Sequence, residues 1–285
     1  EKFKRIEVAA SSFVHVERDI VVLEHGDDFF CRCTHKQADY LDELFDQHFL
    51  MKRGPRIGPG GVSNGTYLKR EIGWSIEGFT WTPDVKHEQR IVDELGKKPS
   101  LRPMAPGSKT VGKGIREAAD ALDARAATAF RSLACTGLYI AEDMPQTQFA
   151  VKELLTGLTE PTVLHQLKLE RYATYLAGEH ETVWVFAYKR VEQPYVVKAT
   201  VDSDWAGDVV GRKSTGGGYE FVNHCLIAGN CNQHPVISLS SAEVEFYEIV
   251  NGSARCLWTR SFLLAIGRAV DTIVIESDSS AAKGI

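Results

Sequence analysis

Residues 195–208 read YVVKATVDSDWAGD. The odd positions Tyr195, Val197, Ala199, Val201 and Trp205 are mostly apolar, while the even positions carry Lys198, Thr200, Asp202 and Asp204. A period of two marks a strand with one buried face, so this run predicts a strand with its acids on the opposite face. Ionised carboxylates crowded at a strand end repel one another, unless a cation neutralises them or one takes up a proton. From these residues alone a solvated loop after a strand fits as well, because charge clusters usually sit in water.

The order of the elements that follow separates the two readings. GGGYEFVN (216–223) and VISLSS (236–241) read as two further strands, with CLIAG (225–229) as hairpin material between them. Residues 240–267 repeat apolar side chains at Phe246, Ile249, Val250, Ala254, Leu257, Trp258, Phe262 and Ala265, the spacing of a long amphipathic helix. DTIVIESD (271–278) then sends Ile273 and Ile275 one way and Glu276 and Asp278 the other. Short connections alternate the strand directions, so the helix begins at the edge where the first strand ends. A right-handed crossover then lays the last strand parallel to the first. Asp202, an acid from the first turn of the helix, and Asp278 are thereby expected at one edge of one sheet, and the solvated-loop reading loses its advantage. Ser240 and Glu243 match a Ser-x-x-Glu capping box, which leaves Glu245 as the helix residue for the site. Asp278 also suits the N-cap of a helix beginning SSAAK. Asp204 shares the facing of Asp202 only if the strand persists that far.

The rest of the chain bounds this reading. Its 285 residues are 44% hydrophobic and 25% charged, enough apolar material for one large domain or two smaller ones. No apolar run of about 18 residues and no charged-then-apolar leader occurs, so neither a membrane span nor export is indicated. The six cysteines are scattered, which points to a reducing compartment. A formal net charge of -5 weighs against nucleic-acid binding through excess Lys and Arg. The chain starts at Glu1 and stops at Ile285, a few residues into what reads as a new helix, as expected of a segment of something longer.

Upstream, Ile20–Leu23 and Phe29–Cys31 flank HGDD, a tight-turn signal for a hairpin. Residues 36–51 and 84–96 read as amphipathic helices, the second closed by Gly96. The Pro, Gly and Lys content of residues 99–116 predicts a linker. From Ala124 to Leu176 helical patterns dominate, broken at MPQ (144–146) and EPT (160–162). Cys31, Cys33 and His35, and likewise His224, Cys225, Cys231 and His234, are metal-type residues without the usual Cys-x2-Cys zinc spacing, and buried strand cysteines are the default.

DSDWAGDVVGRKSTGGGYEF (202–221), LSSAEVEFYEIVNGSARCLW (239–258) and IVIESDSSAAKGI (273–285) resemble the ribonuclease H domain of copia-type retrotransposon polyproteins. VVLEHGDDFF (21–30) resembles the Asp-Asp hairpin of the reverse transcriptase palm, with His25 and Gly26 in the first two places of Tyr-x-Asp-Asp. Residues 130–162 resemble the segment joining the two enzymes, with DMPQ where the family commonly shows Arg-Pro-Asp-Ile. The resemblance implies an α/β architecture: a ribonuclease H-like mixed sheet flanked by helices over 191–285, a partial palm and thumb over 1–100, and a linker and helical connection over 101–190. It implies Asp202, Glu245 and Asp278 as catalytic, metal-binding carboxylates and Asp27 and Asp28 as polymerase metal ligands. The implied reaction is hydrolysis of the RNA strand of an RNA/DNA hybrid with two Mg2+ ions, Mn2+ being the alternative, in the cytoplasm or a replication particle. The implied partners are that hybrid and the remainder of the Pol polyprotein. A further polymerase Asp is expected before residue 1 and a fourth nuclease acid after Ile285. Read against those, the alternative is an inactive remnant that binds nucleic acid or a protein partner without cutting.

Overall fold

The computed structural model describes residues 2–100, 105–108, 120–178, 182–191, 193–208 and 211–280. Among them lie three four-stranded sheets and six α-helices. Most of the expected linker, and the helix expected after Asp278, lie outside the described residues.

The first sheet is an antiparallel meander of β1 (Lys4–Ile6), β2 (Ala9–His15), β3 (Ile20–His25) and β4 (Asp28–Arg32). The hairpin expected around HGDD forms, His25 facing Asp28 across a two-residue turn in which Gly26 takes φ 64°. Helix α1 (His35–Asp46) covers this sheet, packing Leu41 with Ile20 and Val22. It stops short of the expected 51 because Phe49 turns back onto the rings of Phe29 and Phe45.

The second sheet was not foreseen. Strands β5 (Asn64–Tyr67), β6 (Arg70–Ser75) and β7 (Gly78–Thr82) form a meander, and β7 pairs antiparallel with β8 (Trp184–Ala187), which arrives only after four helices. Those helices are α2 (Lys86–Glu94), α3 (Ala124–Asp143), α4 (Gln148–Leu155) and α5 (Val163–Leu176), with α3 and α4 parted at MPQ and α4 and α5 at EPT as the sequence predicts. Their core holds Phe130, Leu133, Met144, Leu154, Leu169 and Tyr172. Asp143, at the end of α3, ties bundle to sheet: its carboxylate accepts from Arg70 and Trp81, and its carbonyl from Trp184. The sheet therefore draws strands from both sides of residue 100.

The third sheet has the order β11-β10-β9-β12. Strand β9 (Tyr195–Asp204) runs antiparallel to β10 (Thr215–Val222), which pairs antiparallel with β11 (Cys225–Gln233). Helix α6 (Ser241–Ala265) crosses the sheet and returns the chain to β12 (Val270–Glu276), parallel to β9. Val197, Ala199 and Val201 are buried beneath α6 with Cys256, so the period-two reading gave the buried face correctly. Gly252 permits the close crossing: a β-carbon there would stand 2.7 Å from Val201 Cγ1.

One expected strand is misplaced. The third strand is residues 225–233, whereas 236–240 of VISLSS form a loop with Val236, Ile237 and Leu239 exposed, and its last residue, Ser241, opens α6. Asn223 takes a left-handed φ of 53°, so the chain reverses within two residues and Val222 pairs directly with Cys225. VISLSS then has no neighbouring strand to pair with among the described residues.

Candidate metal centre

Parallel pairing of β12 with β9 brings the C-terminal ends of both strands to one sheet edge. Asp202 lies near the end of β9 and Asp278 two residues beyond β12. Ser240 caps α6 by accepting from the Glu243 N–H at 3.2 Å, which starts the helix over that same edge and lowers Glu245 into it. The expected convergence is present: one ligand oxygen from each of Asp202, Glu245 and Asp278 lies within 4.8 Å of the others. Among the described residues no other group of three His, Cys, Asp or Glu side chains is so placed.

The three differ in environment. Asp202 and Asp278 are exposed, whereas Glu245 is 8% exposed. Oδ1 of Asp202 accepts from the Ser203 N–H at 2.8 Å, and Oε1 of Glu245 accepts from the Ser203 hydroxyl at 2.6 Å. Oε2 of Glu245 is buried without a hydrogen-bond partner. An orphaned carboxylate oxygen is costly to bury, and two more carboxylates beside it add repulsion. A hard divalent cation relieves both, and an all-oxygen donor set suits Mg2+ or Mn2+ rather than a thiophilic metal.

Neighbouring acids have other work. Glu243 accepts from the Leu239 N–H at 2.7 Å and the Tyr247 hydroxyl at 2.8 Å, which together hold its carboxyl below the usual range. Its side chain thus reaches Leu239 rather than the backbone of the cap residue. Glu276 is engaged by Thr200 and Lys198, which lower its pKa in that order. The Asp204 carboxylate lies against Gly207 and outside the group.

Asp27 and Asp28 sit exposed at the tip of the β3–β4 hairpin, and no described His, Cys, Asp or Glu joins them in a ligand group. The Cys and His sets do not converge either. Burial pushes the Cys31 thiol up to about 12 and raises Cys33 and Cys231, which favours neutral thiols over thiolate ligands.

Sequence reasoning missed a buried polar layer behind the carboxylates. Nε2 of His234 lies 2.7 Å from Oε1 of Glu248, which also accepts from Asn251 at 3.0 Å, and Glu248 is 2% exposed. The available signal was the glycine run 216–218 in β10, where a missing side chain makes room for one from the helix.

The chain is similar to the Retrovirus-related Pol polyprotein from transposon RE1 of Arabidopsis thaliana, 29% identical over 170 residues, 60% of this chain and 11% of that protein. It is similar to the polyprotein from transposon RE2 of the same plant, 28% identical over 173 residues, 61% of this chain and 11% of that protein. An uncharacterized mitochondrial protein of Arabidopsis thaliana is 29% identical over 130 residues, 46% of this chain and 53% of that protein. The chain thus spans about a tenth of each polyprotein and about half of the mitochondrial protein. No protein-family model and no solved structure matches it.

Proposed function

We propose that residues 191–285 belong to a ribonuclease H-like domain of a copia-type Pol polyprotein, and that this domain hydrolyses the RNA strand of RNA/DNA hybrids. The observation that carries the reading is the meeting of Asp202, Glu245 and Asp278, brought together by two strand ends and a helix start, with one Glu245 oxygen buried and unpaired. Similarity to the transposon polyproteins supports the retroelement setting. Residues 1–100 would then be part of a reverse transcriptase palm and thumb, with Asp27 and Asp28 at its metal site, and 101–190 the connection.

In this reading the three carboxylates hold two Mg2+ ions, which when bound supply the positive charge that activates water and stabilises the departing oxygen in an in-line displacement at phosphorus. The chain's own part is positional. Asp202 and Asp278 lie open to a phosphodiester approaching the sheet edge, while Glu245 is fixed from beneath by Ser203. RNA would be distinguished from DNA by its 2′-hydroxyl and the shape of the hybrid, not by base sequence. No helix among the described residues is long and apolar enough to cross a membrane.

The test is incubation of the chain with end-labelled RNA/DNA hybrid and Mg2+, beside Asp202→Asn and beside single-stranded RNA. The expected products are 5′-phosphate RNA fragments from the hybrid alone, abolished by the substitution. Cleavage that persists in Asp202→Asn, or none in either protein, overturns the proposal.

A further inference from the structure

Ser203 separates the two acids of DSD on β9, and its N–H and its hydroxyl each donate to a carboxylate of the metal centre. Its main-chain N–H donates to Oδ1 of Asp202 at 2.8 Å, and its hydroxyl donates to Oε1 of Glu245 at 2.6 Å. One residue therefore touches a ligand on its own strand and a ligand on the helix packed above it. Ser203 pairs across the ladder with Gly216, whose missing side chain leaves room beneath the helix.

The two oxygens of Glu245 are made unequal by this contact. Oε1 is held by the hydroxyl, while Oε2 is buried with no hydrogen-bond partner. A Glu side chain near a helix start has several rotamers, some of which carry its carboxylate out to water. The serine hydroxyl favours the one rotamer that keeps the carboxylate beneath the helix start, beside Asp202 and Asp278. An alanine there would leave a second Glu245 oxygen without its donor and nothing to orient the group.

We infer that Ser203 is a positioning residue of the metal centre, fixing Glu245 with Oε2 toward the cation and thereby setting the affinity of the site for a hard divalent ion. The inference rests on the metal-site reading proposed above and goes beyond it in naming the group that orders the ligands. Groups that orient metal ligands typically change metal affinity by about 10–100-fold when removed, and that is the size expected here.

The test is direct Mn2+ binding, by calorimetry and by the loss of the free-ion electron paramagnetic resonance signal, on the whole chain and on Ser203→Ala, Ser203→Thr and Asp202→Asn. Circular dichroism and thermal melting confirm that each variant is folded. Ser203→Cys, close in volume and a weak donor, stands in if the alanine variant does not fold. We expect Ser203→Ala to bind Mn2+ about 10–100-fold more weakly than the unmodified chain, and Ser203→Thr, which keeps the hydroxyl, to bind nearly as well. In the hybrid assay the alanine variant needs more Mg2+ for half-maximal rate yet approaches the normal rate at saturation. Normal Mn2+ affinity in Ser203→Ala, with affinity lost in Asp202→Asn, overturns the role of Ser203 and leaves the metal site standing. Absence of binding in the unmodified chain overturns both. The expected binding series without cleavage of hybrid upholds the inference and removes only the assignment of substrate.

Discussion

Gly216 on β10 lies directly beneath the carboxyl of Glu248: a β-carbon at Gly216 would stand 2.2 Å from both Cδ and Oε1 of that side chain. The end of a glutamate is ordinarily free to move aside. Here it is buried and held by His234 and Asn251, so moving it breaks two hydrogen bonds under the helix.

Gly216→Ala should therefore destabilise the fold by about 1–3 kcal/mol, the usual range for overpacking a tight interior. Glu248→Ala should cost about 1–3 kcal/mol by leaving His234 and Asn251 without their shared partner. Together the changes should not add, because the alanine methyl at 216 occupies space that the shortened side chain has vacated. Urea unfolding of the single and double variants measures this. Equal cost of Gly216→Ala in both backgrounds would show that the glycine serves a purely conformational need.

Burial, reinforced by the charge of Asp84, pushes the Glu88 carboxyl up from 4.5 to about 7. Between those values the folded chain retains a proton that the unfolded chain has released, so this group makes stability fall as pH rises through the window and contributes no further change above it. Glu88→Gln, which stays neutral throughout, should match the unmodified chain near pH 4.5 and become progressively more stable than it up to about pH 7. Denaturation midpoints across that range give the comparison. A difference between the two proteins that does not vary with pH would mean that Glu88 titrates as an ordinary surface acid.

How much of this architecture the sequence reveals depends on whether burial is one-sided. Strand β9 lies under a single helix, so Val197, Ala199 and Val201 alternate cleanly with polar residues, and α6 and β12 are equally plain. From those three elements, chain direction alone placed Asp202, Glu245 and Asp278 at one edge. The β5–β8 sheet gave no such sign. Its first hairpin turns at Leu68 and Lys69, both with positive φ, where a Gly or Asn would have advertised the reversal. Its last strand is separated from its partner by the whole helical bundle. Strand β11 was overlooked for a related reason: GNCN (229–232) has weak strand preference, and its pairing with β10 overrides it. Ser203 and Glu248 escaped, and His234 showed only as a metal-type residue, because apolar periodicity reports what faces a core, whereas His234 and Glu248 are polar groups buried in one and Ser203 is a polar group half-buried at its edge.

The sign of one substitution should depend on the metal. In Glu245→Gln the side-chain oxygen can still accept from the Ser203 hydroxyl, while an amide N–H2 replaces the buried Oε2 that now has no partner. That amide carries no charge, and one oxygen of Glu245 lies within 4.8 Å of oxygens of Asp202 and Asp278, so the substitution removes the repulsion among the three acids. In EDTA the variant should therefore be more stable than the unmodified chain by about 1–2 kcal/mol, since a buried unsatisfied acceptor and a carboxylate repulsion are both removed. In excess Mg2+ the order should reverse. The unmodified chain gains about 2.7 kcal/mol when the ion is present at a hundred times its dissociation constant, and the variant, with one ligand neutralised, gains far less. Thermal melting of both proteins with EDTA and with Mg2+ reads the crossover directly. A variant that is less stable in both conditions would show that the Glu245 carboxylate is satisfied by the protein itself, and one that is more stable in both would show that no ion binds where the three acids meet.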